Sequence, residues 1–73
     1  MYVVTVTYHP DRYSQAAMFR ALKARTVEVG FNFDNGRREL VFFKRSKAPL
    51  QDIKQRAKKL PGVRSSRIET SLW

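Results

Sequence analysis

The chain contains no cysteine, which excludes a disulfide framework and any thiolate metal site. It has one histidine, His9, so imidazoles alone cannot build a metal centre, and no metal or other cofactor is expected. Its three glycines, Gly30, Gly36 and Gly62, stand apart; none belongs to a phosphate-cradling glycine loop. No apolar run approaches the ~20 residues needed to span a bilayer, so no membrane association is expected. Acidic residues are few, six Asp and Glu against 15 Lys and Arg.

The positive charge is therefore the outstanding property. A net charge of +9 on 73 residues costs self-repulsion in a compact state. Phosphate backbones offer a return, because neutralising them releases counterions. The expected partner is a nucleic acid, RNA or DNA; an acidic protein is the alternative. Met1-Tyr2-Val3-Val4 lacks the charged start of a secretory leader, and with no cysteine a cytoplasmic location is expected. The length suits one domain, 1–73, whose small core needs most of its apolar residues.

The pattern of elements is legible. Residues 2–8 alternate, with Tyr2, Val4, Val6 and Tyr8 on one face and Val3, Thr5 and Thr7 on the other, a strand. His9-Pro10-Asp11 ends it, and Asp11 is the expected cap of a helix over 12–24. In that helix Phe19 falls on the flank of the apolar side, either core or an exposed anchor. A second strand covers 26–33 and a third 38–44. Between them, Asn35-Gly36 is a strong two-residue hairpin signal. It sets Asp34 opposite Arg37, Phe31 opposite Leu40, Val29 opposite Phe42 and Val27 opposite Lys44. Pro49 suits the first turn of a second helix, whose Leu50, Ile53, Ala57 and Leu60 form an apolar stripe. Pro61-Gly62 stops it. A last strand is expected over 63–72, with Ser66, Ile68, Thr70 and Leu72 on one side and Ser65, Arg67, Glu69 and Trp73 on the other.

The order β-α-β-β-α-β at this length is the split-βαβ arrangement. The expected fold is α+β, a ferredoxin-like βαββαβ two-layer sandwich. Its four-stranded antiparallel sheet has order 4-1-3-2, with two helices on one face. Leu60-Pro61-Gly62-Val63 resembles the helix–strand junction of ligand-sensing ferredoxin-like domains of bacterial regulators, which implies the fold and not a function. Met1-Tyr2-Val3-Val4 resembles the opening of CRISPR-associated small ferredoxin-like nucleases. That family places an acidic metal ligand at the end of strand 1. This chain has Tyr8 and His9 there, with Asp11 further on, so the resemblance does not bring the nuclease activity with it.

This topology sorts the charges. One end gathers Tyr8, His9, Arg12, Asn35, Arg37, Arg38, Lys58, Lys59 and Arg64. The other gathers Arg25, Lys44, Arg45, Lys47 and Trp73. Arginine forks match phosphate oxygens, so Arg37, Arg38, Lys44, Arg45, Lys47, Lys58, Lys59 and Arg64 are the expected nucleic-acid contacts. Lys54 is read as a solvated helix residue. The open sheet face, with Val3, Thr5, Val41, Phe43, Arg67 and Trp73, is the expected dimer or partner interface. Glu28 and Glu39 share it. Strand 3 lacks the glycine and paired aromatics of an RNA-recognition motif, so base stacking there is disfavoured. Tyr8, His9, Asp11 and Arg12 cluster at the end of strand 1 in a way that could mimic an acid–base site, with His9 and Asp11 the residues a metal-dependent nuclease would use, and no second positioned group can be named. The favoured reading is a non-catalytic nucleic-acid-binding module. The alternatives are a small inhibitor of the virus- or mobile-element type docking on an acidic protein, and a small nuclease.

Overall fold

A computed structural model describes residues 1–24, 29–34 and 36–71, the segment 29–34 by its backbone. The elements run β1 (Tyr2–Tyr8), α1 (Gln15–Leu22), β2 (Val29–Asp34), β3 (Arg37–Lys44), α2 (Lys47–Lys58), β4 (Arg64–Ser65) and β5 (Glu69–Thr70). The sheet order is β2-β3-β1-β4, with β5 also paired to β1. Since β4 and β5 share the edge beside β1, the arrangement fits a ferredoxin-like α+β sandwich. No described helix is long and apolar enough to cross a membrane.

β1 forms because its β-branched and aromatic residues suit a pleated surface. Its alternation is realised: Val4, Val6 and Tyr8 are buried and Val3, Thr5 and Thr7 half-buried. The β2–β3 register has Asp34 opposite Arg37, Phe31 opposite Leu40 and Val29 opposite Phe42, as the Asn-Gly turn requires. Gly36 has φ +74°, a conformation L side chains resist. Expectations for Arg25, Val27, Glu28, Asn35, Leu72 and Trp73 lie outside the described residues.

The first helix is shorter than 12–24 and has a different cap. Ser14, not Asp11, caps α1, its hydroxyl accepting from the Ala17 N–H at 3.1 Å. Residues 10–12 form a turn instead, with the His9 carbonyl accepting from Arg12 and Tyr13 N–H groups. The helix ends where Lys23 turns left-handed (φ 54°), and Ala24 N–H donates back to the Phe19 carbonyl at 3.0 Å, a Schellman closure. Phe19 is buried, which settles its two readings for the core. α2 contributes Leu50, Ile53 and Ala57 to that core, against Val4, Val6, Tyr8, Met18, Leu22, Leu40 and Phe42. Leu60 packs at its margin.

The last strand is not continuous over 63–72. Ser65 stands opposite Val6 and Glu69 opposite Val3. Residues 66–68 therefore face only Val4 and Thr5, a β-bulge. A one-residue slip exchanges the faces. Arg64 shares the open face with Thr7, and Ser65 lies on the helix side with Val6; beyond the bulge Glu69 returns to the open face with Val3. The expectation of Ser65 on the open face fails for this reason. Ser66 bridges the break: its Oγ accepts from Thr5 N–H at 2.9 Å, and its own N–H donates to the Thr5 carbonyl at 2.8 Å.

Candidate functional site

Three connections meet where β1 ends. The turn after β1 supplies His9, Asp11 and Arg12, the start of β3 supplies Arg37, the α2–β4 turn supplies Gly62 and the start of β4 supplies Arg64. Together they line an open cleft of about 400 Å³. Tyr13 ties two of these segments, its hydroxyl donating to the Pro61 carbonyl at 2.8 Å. Gly62 has φ +76°, and Arg12 lies across it, Nη1 3.5 Å from where a Cβ would stand. Three arginines and one carboxylate, Asp11, thus line the same cleft. The cations outnumber the carboxylate three to one, and arginine forks match the geometry of phosphate oxygens. Among the described residues, no three His, Cys, Asp or Glu side chains assemble into a metal-holding group.

A second depression, of about 420 Å³, runs along α2. Lys47, Gln51, Lys54, Gln55 and Lys58 line it, with Ile68 from the bulge opposite. Lys47, Gln51, Lys54 and Lys58 follow the spacing of one helix flank, next to the buried stripe of Leu50, Ile53 and Ala57. No carboxylate is among the described residues that line it. At its start Lys47 Nζ lies 5.3 Å from the Tyr2 ring centroid, within cation–π reach.

The other flank of α2 faces α1. A cleft of about 190 Å³ there holds Lys23, Lys44 and Arg56 with Asp52. Arg56 donates to the Leu22 carbonyl at 3.2 Å, so it serves the end of α1.

The expected contact residues are therefore distributed over separate surfaces. Arg37 and Arg64 meet in the end cleft with His9 and Arg12. Arg38, directly opposite Tyr8 in the ladder, is half-buried and is not among the cleft's lining residues. The dense run Lys44–Lys47 is divided at the β3–α2 connection: Lys44, the last residue of β3, lines the cleft beside α1 and Lys47, the first of α2, lines the groove, while Arg45 is exposed between them. Lys58 joins Lys47 in the groove, and Lys59 is exposed at the helix end. Sequence reasoning passed over Lys54. The four-and-three spacing of 47, 51, 54 and 58 was visible, but not which flank of α2 would face the sheet edge.

On the open face, register places Val3 beside Phe43 and Thr5 beside Val41. All four are half-buried. Arg67 and Glu69 form an exposed ion pair at 3.6 Å at the edge, a contact of little energetic weight.

The architecture is that of a small α+β sandwich with basic clefts at one end and along one helix. No protein-family model, curated protein or solved structure matches the chain.

Proposed function

We propose that this protein is a small nucleic-acid-binding module that acts through phosphate contacts and without catalysis. The observation that supports the reading is the convergence of Arg12, Arg37 and Arg64 from three distant parts of the chain on one cleft. Holding three like charges together costs Coulomb energy, and a bound phosphate recovers it. Contacts of this kind position a backbone and carry no base information. The reading therefore implies affinity with little sequence preference.

Amide chemical-shift mapping during titration with a short oligonucleotide tests it. Shifts are expected at His9, Arg12, Arg37, Gly62 and Arg64, with the resonances of Val41 and Phe43 left in place. Shifts confined to Val3, Val41 and Phe43 would move the interface to the open sheet face and overturn the proposal.

A further inference from the structure

The end cleft and the groove along α2 are two of the protein's basic surfaces, and their linings come close in sequence. Lys58 lines the groove along α2, Gly62 and Arg64 line the end cleft, and only residues 59–61 separate the two linings in sequence. The groove starts near the beginning of β1, where Lys47 covers Tyr2, and finishes near its end. From Lys47 to Lys58 it runs ~16 Å at the rise of an α-helix. The cationic path thus follows the side of the molecule and then turns onto its end.

That turn discriminates between ligands. The protein measures 32 × 22 × 21 Å. Duplex DNA stays straight over ~50 nm, so a duplex laid along α2 runs past the corner without entering the end cleft. A single strand bends at every nucleotide and can occupy both. The groove's composition agrees with such a strand. Its lysines are point charges that neutralise phosphates without demanding one geometry, Gln51 and Gln55 offer donors and acceptors for sugar or phosphate, and no described carboxylate opposes them.

We infer that the α2 groove continues the phosphate-binding surface of the end cleft, and that the two together take a single-stranded nucleic acid. This rests on the phosphate-binding reading above and names its substrate class. The three groove lysines then contribute to the salt dependence separately from the three cleft arginines.

The test is fluorescence anisotropy with a labelled oligothymidylate and a labelled duplex of equal length, over a salt series. The wild-type protein is expected to bind the single strand more tightly than the duplex. Replacing Lys47, Lys54 and Lys58 together by Ala is expected to reduce the slope of log K against log salt by about 2, the value for three phosphate contacts on a single strand. The corresponding triple Lys→Arg variant retains the slope, and circular dichroism confirms that each variant is folded. Equal or tighter duplex binding overturns the inference about the strand. An unchanged slope in the Ala variant, with Arg12→Ala/Arg37→Ala/Arg64→Ala still weakening binding, overturns the groove's part alone. No binding by the wild-type protein to either probe overturns the underlying reading as well.

Discussion

Tyr8 is wholly buried, and its hydroxyl has no hydrogen-bond partner among the described residues. A buried hydroxyl without a partner has lost its water and gained nothing in return. Tyr8→Phe keeps the ring and removes the unpaired oxygen. The variant is expected to be more stable by about 1 kcal/mol, which in a domain of this size raises the thermal midpoint by about 4–8 °C. A lowered midpoint in a calorimetric scan would show that the hydroxyl has a partner. The alternation of β1 put Tyr8 on the face of Val4 and Val6, but did not show that its hydroxyl would have no partner among the described residues. Alternation reports the face of a side chain and says nothing of what lies at its tip. Ser14 illustrates the same limit. Asp11 and Ser14 both have capping side chains, and the turn built on the His9 carbonyl decides between them.

At the scale of elements, legibility followed the strength of local signals. The hairpin register was readable because Asn-Gly constrains two φ angles and the flanking alternation allows one pairing. The buried face of α2 was readable because Leu50, Ile53 and Ala57 keep helical period. The edge strand was not, since nothing in Arg64-Ser65-Ser66-Arg67 marks a bulge, and a serine hydroxyl substituting for a ladder carbonyl leaves no periodic trace. The bulge decides where Arg64 points, since it is what sets Arg64 opposite Thr7 and Glu69 opposite Val3. Ser66→Ala removes the acceptor of the Thr5 N–H and is expected to cost about 1 kcal/mol. Chemical denaturation measures it, and faster hydrogen exchange at the Thr5 amide should accompany the loss. Unchanged stability together with unchanged exchange at Thr5 would contradict this role.

For the whole molecule, net charge was evident from composition, and its arrangement was only partly so. Topology correctly brought Arg37 and Arg64 to the end of β1. It could not foresee that Lys44 and Lys47 would part, because the run crosses from the end of β3 into the first turn of α2 and the chain changes direction between them. The outcome is a protein with three arginines in one end cleft and three lysines along one lateral groove, Asp11 being the only described carboxylate lining either. The proposed function has such a surface bind polyanions by displacing their counterions, with an affinity that falls steeply as salt rises. The most direct measurement is the slope of log K against log salt for an oligonucleotide, compared between the wild-type protein and the Arg12→Ala/Arg37→Ala/Arg64→Ala variant. The account expects a steep negative slope for the wild type and one shallower by about 2–3 for the variant. Equal slopes in the two proteins, or no binding by the wild type at low salt, would contradict it.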